Sequence, residues 1–415
     1  MELKQLINKY NIKQPIQNFN NNYVKNSNSF FDIKINRFKI KNEDNLDFKE
    51  GKKIKNNLKC EKIILEPDKY QKKKILGMLE SCRLVYNYTN NIMKKMKFKK
   101  IPKWNYIRTY FIKDYIKKIN LIYKTPIHTL DYSVNECVKN YKACETNKNT
   151  KKYNVRYKKR NKNYLNMTLE KETLRDKKFI PTIFKKEIKN KSNISYLSNH
   201  NVSIYYDRKK DLIYLIKAVD IINNNKKKDK NFISIDPGIR TFLNCIDNES
   251  FIEIGSKLKL NIKKDLNKLD YLNKKNNRKY IKKREKLREK LKNKKKDLHW
   301  KSIQFLISNY NNILIGKLST SDIIKNDKSV LNKINKRLIL FLEHFKFRER
   351  LIYKCSVNNV NILEIDEHYT SKTCSNCGNI KKDLGCSKIY NCNKCCISID
   401  RDYNGCRNIL FKGLK

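Results

Sequence analysis

Acidic residues, glycine and proline are all scarce in this chain. Its 415 residues hold 41 Asp and Glu against 96 Lys and Arg, a formal net charge of +55. Nine Gly and six Pro exclude collagen-like and proline-rich architectures. No run of 18 apolar residues occurs, so no membrane-spanning helix is expected. Residues 1–20 contain no apolar stretch of the signal-peptide kind. An intracellular protein is the expectation. Hydrophobic residues at 39% and aromatics at 11% are enough for packed cores. A compact fold at +55 repels itself unless a polyanion neutralises it. Lys outnumbers Arg by 80 to 16, a bias that AT-rich codons produce unaided. Codon drift exchanges one cation for another, however, and does not create the excess, which points to nucleic acid.

The 13 cysteines are an odd number, which argues for thiols and metal ligands over disulfides. Nine are scattered: Cys60, Cys82, Cys137, Cys144, Cys245, Cys355, Cys386, Cys396 and Cys406. The other four form Cys374-x-x-Cys377 and Cys392-x-x-Cys395, separated by 14 residues. Two such knuckles present four thiolates able to close a tetrahedron around zinc, a closed and structural site. Gly378 lets the first knuckle turn toward the metal, and Cys396 is the substitute ligand should the register differ.

Residues 1–57 are polar, rich in Asn and Lys, and without periodicity, so a disordered basic extension is expected there. Residues 60–66 alternate as a strand. Over 68–97, Ile75, Met78, Leu79, Cys82, Val85 and Tyr86 recur at helical spacing. More basic helices are expected over 103–150, with Thr125-Pro126 as a start signal. A Lys/Arg/Asn run over 146–163 is interleaved with tyrosines and ends at Tyr164. Residues 202–206 and 212–216 read as two strands joined by a turn, and a polar linker over 223–230 marks a domain boundary. Beyond it, strands at 232–235, 241–246 and 251–254 predict an antiparallel meander. Then come a long basic helical stretch over 257–310, broken near Asn276-Asn277, a strand at 312–315, a helix over 331–355, a strand at 361–365 and a short helix over 403–410. Three antiparallel strands followed by helix-linked parallel ones is the order of a ribonuclease-H-like sheet.

Two carboxylate segments stand out in so basic a chain. Asp236 ends the apolar run Phe232-Ile-Ser-Ile and precedes Pro237-Gly238. A carboxylate there costs desolvation energy unless a cation or hydrogen-bond donors meet it. Asp400-Arg-Asp402-Tyr-Asn404 opens the last helix, where a helix-capping role competes with a ligand role. Carboxylates holding two Mg²⁺ ions would serve phosphodiester hydrolysis.

These segments resemble a known family. Ile235-Asp236-Pro-Gly238, Tyr369-Thr-Ser-Lys-Thr-Cys374-x-x-Cys377-Gly378, Cys392-x-x-Cys395 and Asp400-Arg-Asp402-x-Asn404-x-x-Arg407-Asn408-Ile409 resemble the signature of the TnpB/OrfB transposon proteins. Cys82-Arg83-x-x-Tyr86-Asn87 is similar to the family's early helix. Leu298-His299-Trp300-Lys301 and Ile313-Leu-Ile-Gly316-Lys-Leu318 resemble its Fanzor branch. The resemblance implies an α+β multidomain, RNA-guided DNA endonuclease. A RuvC nuclease domain (230–415), with a ribonuclease-H-like mixed sheet, would contain a zinc ribbon (370–397). A small β wedge barrel (58–68 and 190–222) would contain a helical recognition lobe (69–189). Structural zinc, catalytic Mg²⁺, guide RNA and double-stranded target DNA follow as cofactors and partners, with a nuclear site if the host is eukaryotic or the source a large DNA virus.

One position departs from the family. Most members end the fourth RuvC strand with a catalytic Glu, where this chain has Gly316. Fanzor-type members carry a Glu at the end of the next strand instead, in an E-x-x-T-S pattern that Glu367-His-Tyr-Thr370-Ser371 matches. Adjacent strands are about 4.8 Å apart, within reach of a Glu side chain, and Gly316 leaves room for it. Asp236, Glu367 and Asp402 are therefore the expected catalytic set, with Glu364 as runner-up. The loss at Gly316 also leaves open a degenerate relative that binds RNA and DNA without cutting.

Overall fold

The computed structural model describes residues 4–5, 21–24, 30–37, 46–51, 58–96, 98, 100–146, 154–176, 178–192, 194–220, 230–325, 332–381 and 387–414. The chain divides into two compact units, one of residues 57–221 and one of 1–56 with 222–415.

The larger unit is built on a seven-stranded sheet. Its central strand, Lys230–Pro237, is flanked on one side by Leu243–Ile246 and Ser250–Ile254, which run antiparallel in turn. On its other side Tyr310–Gly316 and then Asn361–Ile365 run parallel. Parallel neighbours need long crossovers. Helices Leu258–Asn273 and Arg278–Asn309 lead to the first parallel strand, and Lys333–Leu342 and His344–Val357 to the second. Asn277 caps the second helix by accepting from Lys279 N, so the break falls where two asparagines predict it. The helix expected over 331–355 is also broken, at Glu343, whose φ of +49° is left-handed. That turn brings His344 to the Gly238 carbonyl at 3.0 Å.

Alternation along the central strand sets up the site. Ile233 and Ile235 face the core shared with the crossover helices. Phe232 faces the other way, packing with Ile409 and Phe411 of the final helix, Arg401–Gly413. Ser234 shares that second face, its hydroxyl donating to Cys406 O at 2.7 Å. Period two then sends Asp236 toward the same helix.

The disordered extension expected over 1–57 is corrected by the structure where it is described. Ile33–Arg37 pairs with Ser250–Ile254, and Asn21–Val24 pairs with Ile33–Arg37, adding two strands to the sheet edge. Phe30 and Phe48 are 2% and 9% exposed. The Phe48 ring packs at a tilt against that of Phe232, centroids 5.3 Å apart, and Phe48 bridges to Leu414, while Lys49 N donates to Gly413 O. A few well-placed aromatics suffice to order a segment whose average composition is polar. Much of the remaining extension, and the 223–229 linker, lie outside the described residues.

In the smaller unit, Leu58–Glu66, Lys189–Asn190, Val202–Asp207 and Leu212–Asp220 join an antiparallel five-stranded sheet. Its fifth member is Tyr164–Leu169, a strand inside the span assigned to the helical lobe (69–189). Among the described residues the last α-helix of the lobe ends at Thr146; Leu165, Met167 and Leu169 alternate inward and share one core with helices Lys69–Met96 and Ile127–Thr146. The basic run is described from residue 154 and lies along the Lys69–Met96 helix. Arg83 Nη1, Asn87 Nδ2 and Asn90 Nδ2 donate to main-chain carbonyls of Lys158 and Val155. No helix among the described residues is long and apolar enough to cross a membrane.

Candidate active site and metal centre

The four knuckle cysteines converge. Cys374 Sγ lies 3.7 Å from Cys395 Sγ, and Cys377 Sγ 3.6 Å from Cys392 Sγ. A tetrahedron with Zn–S bonds of about 2.3 Å has edges of roughly 3.8 Å, so the set fits zinc. Gly378 closes the first knuckle at φ +69°. The corresponding residue of the second knuckle is Cys396, also left-handed at φ +55° and exposed, so it follows the ligand set without joining it. Burial opposes charge on Cys392, but the N–H groups of Cys395 and Lys394 and the neighbouring thiols outweigh it and bring its pKa down to about 6. Cys386 lies outside the described residues.

The knuckles are tied to the final helix. Asn404 Oδ1 accepts from Ser375 N, and Asn404 Nδ2 donates to Thr373 O, both at 2.8 Å. Asp400 caps the helix by accepting from the N–H of Asp402 and Tyr403. The capping role thus falls to Asp400 and leaves Asp402 available. A Cβ on Gly405 would stand 2.6 Å from Asp236 Oδ2: only glycine lets the helix approach that carboxylate.

Glu367 follows the Asn361–Ile365 strand by two residues. Gly316 pairs in register with Ile365, and a Cβ on Gly316 would overlap the Glu367 carboxylate. The Glu367 side chain therefore fills the space a side chain at 316 would take. Its Oε1 is buried without a hydrogen-bond partner among the described residues. Glu364 instead pairs with Arg348 at 2.8 Å.

Burial raises all three carboxylates, and Asp236 also feels the other two. Burial first, then the charges of Glu367 and Asp402, push Asp236 well above the usual carboxylate range against the pull of Arg401. Burial lifts Glu367 to about 7 despite Arg348 and Lys412. Burial and Asp400 raise Asp402 against Arg240, Arg401 and Lys388. Buried carboxylates whose ionisation is disfavoured, one with an oxygen lacking a partner among the described residues, suit a hard cation such as Mg²⁺. Among the described residues, only the four thiols bring three or more metal-ligating atoms within 4.8 Å of one another. Asp236, Glu367 and Asp402 do not meet that spacing.

Sequence reasoning did not find Arg348, Lys412 or Asn244. Asn244 is the cross-strand partner of Asp236, 2% exposed, with Oδ1 unpartnered among the described residues. The one available signal for Lys412 was its spacing of four from Asn408 and eight from Asn404.

Residues 344–409 match the family model of the Cas12f1-like TNB domain. A TnpB-like protein of Acanthamoeba polyphaga mimivirus is 31% identical over 359 residues, 81% of this chain and 66% of that one. The CRISPR-associated endodeoxyribonuclease Cas12f1 of Sulfoacidibacillus thermotolerans is 29% identical over 89 residues, 21% of each chain. The Cas12f1 chain in a cryo-EM complex with sgRNA and target DNA gives a TM-score of 0.49 at 14% identity, over 84% of both chains. The protein is thus a mixed α/β chain with a four-cysteine centre. It belongs to the TnpB-like family, and it spans 66% of the length of the mimivirus relative.

Proposed function

We propose that this protein is a transposon-associated, RNA-guided DNA endonuclease that hydrolyses phosphodiester bonds. The observation that carries this reading is the Glu367 carboxylate filling the side-chain space of Gly316, in a site where Asp236 feels both Glu367 and Asp402. Asp236, Glu367 and Asp402 would hold two Mg²⁺ ions. When bound, such ions supply an activated water and offset charge on the leaving oxygen. Arg240 and Arg401, whose charges act on Asp402, suit a phosphate backbone. Cys374, Cys377, Cys392 and Cys395 would hold a structural zinc that braces the start of the final helix.

The smaller unit is read as the wedge and recognition lobe that hold guide RNA. Tyr164, Tyr205 and Tyr214 form a row across three strands, with ring centroids 5.3 and 6.1 Å apart. Lys62 Nζ sits 3.7 Å above the Tyr214 ring. Rings that stack on bases beside cations that meet phosphates are the means of single-strand binding. The guide would pair with the target strand while the protein reads duplex shape and a short flanking motif.

Gly316 favours a second reading, a relative that binds RNA and DNA without cutting. Protein purified with its RNA and incubated with plasmid carrying the matching target, in Mg²⁺ and in EDTA, separates the two. Cleavage in Mg²⁺ alone is expected; target binding without cleavage under both conditions establishes the second reading.

A further inference from the structure

Glu367 stands on a turn, and a turn must be held if its side chain is to keep its place. Tyr369, two residues on, has φ +62°, a costly conformation for a non-glycine residue. The Arg401–Gly413 helix takes up the turn's carbonyls from one side. Asn404 Nδ2 donates to Thr373 O at 2.8 Å, and Asn408 Nδ2 to Thr370 O and Thr373 O, both at 2.7 Å. Lys412 Nζ donates to Asp366 O at 2.9 Å and to His368 O at 2.6 Å, the carbonyls on either side of Glu367. The carbonyl between them, that of Glu367, accepts from Thr370 N and Oγ1. Residues four apart lie on one stripe of a helix, so these donors form a single ladder along the turn. The same helix carries Asp402 in its first turn and sets Gly405 against Asp236.

We propose that the Asn404–Asn408–Lys412 ladder is a positioning device for Glu367, with Lys412 fixing how far the carboxylate reaches. A Glu at a strand end is placed by the sheet itself. A Glu moved onto a turn needs a replacement for that support, and the helix that carries Asp402 provides it. One rigid element then sets the distances among all three carboxylates. The ladder's purpose rests on the nuclease reading of Glu367; its hydrogen bonds do not.

The test uses the full, zinc-loaded chain with Lys412→Met, Lys412→Arg and Glu367→Gln. Lys412 is only partly buried, so its replacement spares the core. Mn²⁺ affinity by electron paramagnetic resonance reads binding without cleavage, and amide exchange reads the turn. Lys412→Met is expected to weaken Mn²⁺ binding roughly 10- to 100-fold, the usual range for a residue supporting a ligand. It should also speed exchange over 366–373 alone, with Lys412→Arg restoring most of both. Wild-type Mn²⁺ affinity and exchange in Lys412→Met overturn the ladder, and so does a global loss of stability at unchanged Mn²⁺ affinity. If Glu367→Gln itself leaves Mn²⁺ affinity unchanged, the ligand role of Glu367 fails, and the ladder's purpose with it. That result is distinct from failure of the ladder alone, in which Glu367→Gln weakens binding and Lys412→Met does not.

Discussion

The four thiols and the three carboxylates are both clusters of side chains able to bind metal, assembled in opposite ways. The cysteines come in two local knuckles, and the thiols meet within 4.8 Å of one another. The carboxylates come from positions 236, 367 and 402 and meet only because a strand, a turn after a parallel crossover and a final helix are packed together. The first cluster is specified by spacing and supplies all four corners of a tetrahedron from the protein. The second is specified by the whole fold and keeps an oxygen without a partner among the described residues. The comparison teaches that a closed site can be written locally, whereas an open one borrows its geometry from distant elements and is exposed to faults in any of them.

The largest expected effect lies on the open side. Asp236→Asn, Asp402→Asn and Glu367→Gln should each slow cleavage by about a thousandfold or more, since metal ligands govern several kcal/mol of charge stabilisation at about 1.4 kcal/mol per tenfold. Guide and target binding should persist. Glu364→Gln should cut nearly as wild type, because Glu364 is already paired with Arg348. Single-turnover cleavage beside filter binding on the same preparations decides it, and the reverse ranking of the two glutamates would refute the assignment of Glu367.

On the closed side, Cys374→Ser or Cys392→Ser should abolish zinc binding and unfold the ribbon locally, because closed zinc sites supply folding energy. Asn404 bonds the first knuckle at Ser375 and Thr373, so cleavage should fall as well. Cys396→Ser should leave zinc content unchanged. Elemental analysis with cleavage rates reads all three variants. A cysteine variant that loses zinc and still cuts normally would show the two clusters to be independent.

A third effect concerns the elements from which the open site borrows. Phe48→Ala should cost the larger unit about 3 kcal/mol, as burial of a Phe against Phe232 and the final helix implies, and should leave the smaller unit's unfolding unchanged. Amide exchange resolved along the chain checks this; uniform destabilisation, or none, would contradict it. The smallest effect belongs to the tyrosine row. Tyr205→Ala should weaken single-stranded RNA binding about tenfold without altering its salt dependence. Lys62→Ala should lower the slope of log K against log salt by about 0.7. Equal slopes in both variants would remove the distinction between stacking and charge.

Legibility in the sequence follows the same division. The Lys69–Met96 helix, the 202–220 hairpin and the meander were readable because apolar spacing sets their period locally. So was the convergence of the four thiols. The strand Tyr164–Leu169 was hidden behind a basic run, and the N-terminal strands were hidden by asparagine and lysine. There the ordering comes from single residues, Phe30 and Phe48, that find partners some 200 to 370 positions away. The reach of Glu367 over Gly316 was foreseeable because the gap left by a glycine and the length of a glutamate are both fixed quantities. Lys412 and Arg348 were not, since nothing in a lysine or arginine says which carbonyl or carboxylate it will meet.

The bridge between Phe48 and Leu414 also has a consequence for how the protein is made. The larger unit's sequence opens and closes the chain, and the smaller unit, 57–221, is enclosed between its two parts. During synthesis the early strand Ile33–Arg37 emerges long before its partner Ser250–Ile254, and Phe48 longer still before the Arg401–Gly413 helix that covers it. The smaller unit is complete before either partner has been made, and the N-terminal segment stays without its strand and helix partners over that interval. Chains stalled before residue 250 therefore present an unsatisfied strand and buried-type aromatics to their surroundings, the state most prone to aggregation.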